Sequence, residues 1–394
     1  MVKRSRNRLI SLGIAAAMAA VPSMQVFASP EFAHTAEEWA RLRDDVMEYG
    51  ELADLIHEYN TTVYKNQVAY DDARDQDFND AKDALASQAN DLFSQSDSMY
   101  PEDTYAMAPG GIYANMIYGS AMMEYYAKAA LQTSESSLVD NTMLRIRYDQ
   151  QEAGLVMQAQ ILMNSYEQLE KNMALLEDTK GLLEAVYQST LIQRDHGLVT
   201  QADVLKAQEN ISNLDANIQT AEKSRDQVKR NLCLLTGWSV NANPDIRPIP
   251  EVDMTRIDRM NPAADTATAL ANNYDLRYYT KQLENVGEES ARKTAQANID
   301  NTKETVTSQV KTLYETVLNK RTSYETAQMA LTLEEVNKRD MDQKYQVGSA
   351  SPLEYRQAQN TYLQKAVAVD TAKLDLFQAI ENYEWALKGL VSGS

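Results

Sequence analysis

The chain has 394 residues, 57 acidic against 38 basic side chains, a formal charge of −19 and a single cysteine. That balance excludes binding to nucleic acid or to an anionic membrane surface through bulk charge. The lone Cys233, set in the run Leu232-Cys233-Leu234-Leu235, excludes an internal disulfide scaffold and reads as a small buried hydrophobe.

Residues 1–28 read as a secretory signal. Lys3, Arg4, Arg6 and Arg8 supply the positive start, Leu9 to Ala20 the apolar stretch, and Val26-Phe27-Ala28 a small-residue cleavage site. Pro22, Ser23 and Gln25 interrupt the run before it reaches the roughly 18 to 20 apolar residues a membrane anchor needs. Cleavage removes four basic side chains and no acidic one, leaving an exported chain of charge −23. Such a surface fits solvated helices kept soluble by carboxylates better than a cation-favouring lumen.

Thr35-Ala36-Glu37-Glu38 is a capping box that opens the next helix, and Gly50 is expected to break or kink it. A polar helical run follows to about Ser94. From Gln95 to Ser120, Pro101, Pro109 and the pair Gly110-Gly111 predict a loop or cap region. In the same half of the chain GIYANMIYGSAMMEYY, residues 111–126, makes at most one poor strand.

Leu155, Leu162, Leu169, Leu176 and Leu183 then recur every seven residues, with Ala159, Tyr166, Met173 and Tyr187 each four positions after a leucine. This predicts a coiled-coil helix of about 50 residues, about 75 Å long. After Gly197 a return helix carries the seam Val204, Ala207, Ile211, Leu214, Ile218, Ala221, Val228, Leu232 and Leu235, interrupted by Arg225. Residues 238–268 hold Pro244, Pro248, Pro250 and Pro262, which predict an extended linker without helix. A second hairpin follows, with seams Val306, Val310, Leu313, Val317, Tyr324, Ala327, Leu331 and Tyr355, Ala358, Tyr362, Val369, Ala372, Leu376, Ala379, Tyr383, Ala386.

The two hairpins are copies. Gly197, Ala207 and Gln208 precede Gly348, Ala358 and Gln359 by 151 residues, and each copy closes on a glycine, Gly237 or Gly389. Taking Asn60 in EYNTTVY and Asn273 in NNYDLRY as equivalent starts, the first copy spends 137 residues reaching its tip glycine and the second 75. The fold class is therefore all-α: duplicated long antiparallel coiled-coil hairpins with at most a minor β element. The division is 1–28 signal, 29–237 first repeat with the insertion at about 95–120, 238–268 linker and 269–394 second repeat.

Catalytic signals are missing. His34, His57 and His196 are scattered, and no phosphate-binding glycine loop, HExxH or nucleophile elbow occurs. No enzyme, cofactor or metal is expected.

GLVTQADVLKAQ at 197–208 and YQVGSASPLEYRQAQ at 345–359, with the closing LLTG and ALKG, resemble the helix-turn tips and returning-helix ends of the TolC-type outer-membrane efflux family. The resemblance covers nearly the whole mature chain in arrangement. It implies a homotrimer in which four helical strands per chain form a hollow helical barrel for export. It also implies docking of a periplasmic-type adaptor (membrane fusion) protein that bridges to an inner-membrane transporter. On this likeness the docking tips are Gly197, Leu198, Val199, Thr200, Val347, Gly348 and Ser349. Asp203 and Glu354 would line the entrance, with Gln357 at a second, sometimes acidic position and Tyr345 at an entrance tyrosine. The residues alone allow a plainer reading: Asp203 and Glu354 as first-turn helix acids, Gly197 and Gly348 as turn glycines with positive φ.

The family also carries a membrane β-barrel, about four strands per chain of roughly 9 to 11 residues each. Residues 273–348 contain no such pair, so the chain resembles a shortened member without the full insertions, and outer-membrane embedding is not expected. The location is the cell envelope, in the periplasm and outer membrane or at the cell surface. The alternative function is a non-transporting structural coiled-coil protein of the envelope.

Overall fold

Each copy of the repeat folds as a long helical hairpin in the computed structural model, which describes residues 34–74, 78–100, 111–135, 139–239, 241–286 and 289–391. The signal at 1–28 lies outside the described residues. A first small unit, ending at Asp44, contains helix α1 (Ala36–Arg41). Thr35 caps it: the Glu38 N–H donates to Thr35 Oγ1 at 3.3 Å and the Thr35 N–H to the Glu38 carboxylate at 2.6 Å. The helix stops at Arg41, well short of Gly50, which sits instead in a 3-10 turn over Tyr49–Glu51.

The second unit, from Asp45 onward, begins with β1 (Val46–Met47), α2 (Leu52–Tyr59), α3 (Thr61–Arg74), α4 (Phe78–Met99) and α5 (Ile112–Glu135). The first arm is α6 (Asn141–Asp195) and α7 (Gln201–Leu235). Between the arms lie β2 (Asp245–Ile246), which pairs in parallel with β1, and α8 (Thr255–Arg259). α9 (Pro262–Asn272) and α10 (Tyr274–Asn285) lead to the second arm, α11 (Glu289–Gln346) and α12 (Pro352–Leu387).

Three expectations are corrected here. The loop foreseen over about 95–120 is narrower, because α4 continues to Met99 and α5 starts at Ile112; residues 101–110 lie outside the described residues. The stretch read as a poor strand is helix, since Met116, Met123, Tyr126, Ala127 and Ala130 fall three, four or seven apart and are all buried. The linker likewise holds helix: Pro262 stands at the first helical position of α9, where its missing N–H has no intrahelical partner to lose.

The long helices form one layer in the order α7, α6, α12, α11. Leu155, Leu162 and Leu169 of the heptad are buried, while Leu176 and Leu183, nearer the tip, are half-buried. Between the arms the contact is polar: Asn164 Nδ2 donates to the Leu374 carbonyl at 2.9 Å and Trp385 Nε1 to Gln160 Oε1 at 2.7 Å. In the second arm Val306, Val310 and Val317 pack against Leu376, Ala379, Tyr383 and Ala386.

At mid-height both copies use the same joint. Asn60 Nδ2 donates to the Leu235 carbonyl at 2.7 Å and Asn273 Nδ2 to the Gly389 carbonyl at 3.1 Å. Each asparagine also accepts from main chain in the helix it starts, at Thr62 and Leu276 (both 2.8 Å). Thus α3 continues the line of α7 and α10 that of α12, and the two asparagines are structurally equivalent.

The linker straps one face of the layer. Lys229 on α7 reaches Asn243 and Pro244, Glu167 on α6 accepts from Ile249 N at 2.8 Å, and Lys373 on α12 pairs with Glu251 at 2.6 Å. Arg256 completes the strap on Glu381 and Glu384 of α12 at 2.7 and 2.6 Å.

The extra length of the first copy is a re-entrant hairpin. α4 doubles back along α3 (Gln95 to Thr62 at 2.9 Å, Lys65 to Asp91 at 2.6 Å), and α5 lies along α6 (Asn115 to Ser165 at 3.3 Å). The seat is reciprocal, since a Cβ at Gly119 on α5 would lie 2.1 Å from Gln158 and one at Gly154 on α6 would lie 2.5 Å from Tyr126. A buried ion pair, Arg147 of α6 with Asp275 of α10, joins it to the second copy, because Tyr125 of α5 donates to Asp275 at 2.8 Å. In the second copy α10 ends at Asn285 and α11 begins at Glu289.

Candidate functional site

The two tips are built alike. α6 ends at Asp195 with His196 as its cap, and beyond it the Gly197 N–H donates to Arg194 O and the Leu198 N–H to Gln193 O, both at 2.8 Å. At the second tip the Gly348 N–H donates to Tyr345 O at 3.0 Å and the Ser349 N–H to Lys344 O at 2.8 Å. The two glycines have φ of 72° and 73°, the left-handed conformation a helix end of this type requires. A Cβ at either would meet nothing within 4 Å, so the backbone angle and not crowding selects glycine.

Each returning helix then opens with a capping box. Asp203 N–H donates to Thr200 Oγ1 at 3.3 Å while the Asp203 carboxylate accepts from Thr200 N and Oγ1 at 2.8 and 2.7 Å. Glu354 N–H donates to Ser351 Oγ at 3.2 Å and its carboxylate accepts from Ser351 N at 2.7 Å. The Thr200 hydroxyl and N–H hold the Asp203 carboxyl below its usual range, and the Ser351 N–H and hydroxyl do the same for Glu354. Both acids are exposed and ionised, and both perform the plain capping role.

The apices differ from ordinary turns in being apolar and open. Leu198 is 74% and Val347 78% exposed, while Val199 is half-buried. Tyr345 stacks face to face on Tyr355, ring centroids 4.3 Å apart, and Gln357 is exposed one turn beyond. A polar link between the arms went unforeseen. Asp178 on α6 pairs with Arg356 at 3.3 Å and accepts from Asn360 at 2.9 Å on α12. The partners are more than 170 residues apart, and no local spacing announces them.

Among the described residues no group of three or more His, Cys, Asp or Glu side chains could hold a metal ion, and no helix is long and apolar enough to cross a membrane.

The arrangement of helices matches a solved channel. The Campylobacter jejuni CmeC outer membrane channel aligns with a TM-score of 0.55 over 89% of this chain and 87% of its own, at 12% identity. The chain has the TolC-type fold. A membrane protein from Pseudomonas aeruginosa (TM-score 0.48, 13% identity, 84% and 93% covered) and the outer membrane protein VceC from Vibrio cholerae (0.46, 12%, 90% and 99%) also align, but more loosely. No protein-family model and no curated protein matches the sequence. In this TolC-type chain the described strands are limited to β1 and β2, two residues each.

Proposed function

We propose that this chain is one protomer of an exported helical duct in an envelope efflux or secretion system, working with an adaptor and an inner-membrane transporter. The observation that carries this reading is the open edge of the layer. In α11 only Ala295, Ile299, Val306, Val310 and Val317 are buried, so nothing is buried from Leu318 to Gln346. Leu318, Met329, Leu333 and Val336 stand exposed on that stretch, Met329 and Leu333 at about two thirds. The opposite edge, α7, exposes Leu205.

An apolar stripe of this length is supported by packing and not by helix propensity. Because the two edges are different surfaces, pairing one with the other is heterologous, and such a contact closes into a ring when its rotation divides the circle. Three chains of four strands each give the twelve-strand ring that the resemblance implies. On this reading residues 1–28 are the export signal, residues 29–237 and 269–394 are the two arms, and 238–268 belts them. The apolar apices at Gly197, Leu198, Val199, Thr200, Val347, Gly348 and Ser349 meet the adaptor, with Asp203, Glu354, Gln357 and Tyr345 at the mouth.

Sedimentation tests the edge. Met329→Glu with Leu333→Glu is expected to dissociate the assembly while leaving helical circular dichroism intact. A wild-type chain that sediments as a monomer at every concentration would refute the reading. A ring that captures no membrane-fusion adaptor would favour the structural coiled-coil alternative.

A further inference from the structure

The re-entrant hairpin and the strap lie on opposite faces of the layer. On α6, residues 147, 151, 154, 158 and 165 turn toward α4, α5 and their partners, whereas Glu167 meets the strap at Ile249. At about 100° per residue these directions are roughly 170° apart round the helix. The layer itself runs between them, with α7 reached from Glu170 and Lys180 and α12 from Asn164 and Gln168. In a closed ring one face is the bore and the other the outer wall, so either the hairpin or the strap must be inside.

We propose that the α4–α5 hairpin lies in the bore and acts as a displaceable plug of the duct, a proposal that rests on the ring reading above. Three observations favour this side. The strap is dense in charge, as an outer wall is, with Arg247, Asp258 and Arg259 exposed and paired with Asp245, Arg321 and Asp253. Among the described residues the hairpin exposes the small, uncharged Ser87, Asn90, Ser94, Ser98 and Ala121, with Asp97 as one acid and Glu124 and Lys128 paired with each other. Only one of the two copies carries a hairpin, which is what a narrowing interior admits and an open outer surface would not require.

The seat is suited to release. Most of the α6–α7 seam is apolar, but the hairpin rests on polar contacts: Asn115 on Ser165, Gln95 on Thr62, Gln158 in the notch at Gly119, and the Tyr125 hydroxyl on Asp275, a charged partner that withdrawal must give up. Gln158 Oε1, Gln151 Nε2, Asn66 Oδ1 and the Tyr126 hydroxyl are buried there without a protein partner. Water reaching these atoms on withdrawal satisfies them, so separation forfeits less than opening an apolar seam would. The direction also fits, since α4 and α5 run from the far end back to the level of Ser165 and Thr62 and not beyond the arms.

The test is side-specific labelling of the assembled protein, full-length and with its mass checked. Ala121→Cys on the hairpin and Asp258→Cys on the strap are each exposed, and native Cys233 is buried. A small maleimide is expected to modify both. A maleimide carried on a polymer too bulky to enter the ring is expected to modify Asp258→Cys and to lose Ala121→Cys, recovering it when Met329→Glu and Leu333→Glu split the ring. Bulky labelling of Ala121→Cys in an intact ring would overturn the plug and leave the duct standing. A monomeric mass would overturn both.

Discussion

The four closing glycines should separate into two classes under one substitution. Gly197, Gly348, Gly237 and Gly389 all have positive φ, between 72° and 103°. Alanine at any of them meets the left-handed penalty of about 1–2 kcal/mol. At the tips that is the whole effect, because the space is open. At mid-height a Cβ on Gly237 would sit 2.3 Å from Tyr59 Cβ and 2.5 Å from its carbonyl oxygen, and one on Gly389 would sit 2.2 Å from the Asn272 carbonyl oxygen. Those contacts are main chain or a Cβ fixed to it, and cannot swing away. Relief must move the end of the returning helix from the asparagine it holds, breaking Asn60 to Leu235 or Asn273 to Gly389. Stranding a buried amide costs a further 1–3 kcal/mol, roughly. Gly237→Ala and Gly389→Ala should therefore lose about 2–5 kcal/mol, against about 1–2 for Gly197→Ala and Gly348→Ala. Urea unfolding of the four single variants measures this directly. Four equal losses would refute the joint as the equivalent point of the two copies.

Asp275→Asn leaves Arg147 buried and unpaired, and should cost about 3–5 kcal/mol at neutral pH by denaturant unfolding. Burial alone would raise the Asp275 carboxyl, but Arg147 and the hydroxyl of Tyr125 hold it below the usual aspartate range. The wild-type pair is therefore fully stabilising above the ordinary aspartate value and weakens as pH falls through the folded one, so the variant should show a flatter acid limb. Leu169→Asp places a charge at a fully buried seam position and should unfold or dissociate the first arm, whereas Glu170→Gln loses only a loose 3.6 Å pair with Arg225 and should change stability by under about 1 kcal/mol. Leu198→Arg and Ser349→Arg should leave the melting temperature unchanged and abolish adaptor capture; capture at wild-type yield would remove the docking role.

The arms and tips were legible because their determinants are local. The leucine heptad, the glycine that needs positive φ and the Thr200 or Ser351 cap with its acid all act within one or two turns. The capping geometry also explains why Asp203 and Glu354 cannot be assigned from spacing alone, since the same carboxylate serves the helix whether or not it faces a channel mouth. The α4–α5 hairpin was misread because the prolines and glycines at 101–111 dominated the reading, although Met116, Met123 and Ala130 already recur every seven residues. Asp178 with Arg356 and Arg147 with Asp275 were out of reach, since each joins positions that only the folded layer brings together.

The central claim is that this chain closes a ring with copies of itself. Native mass spectrometry of the purified protein tests it most directly. The account predicts a species of three chains that converts to single chains when Met329 and Leu333 are both replaced by glutamate. A single chain as the largest species at all concentrations, with the α11 edge left bare, would contradict it.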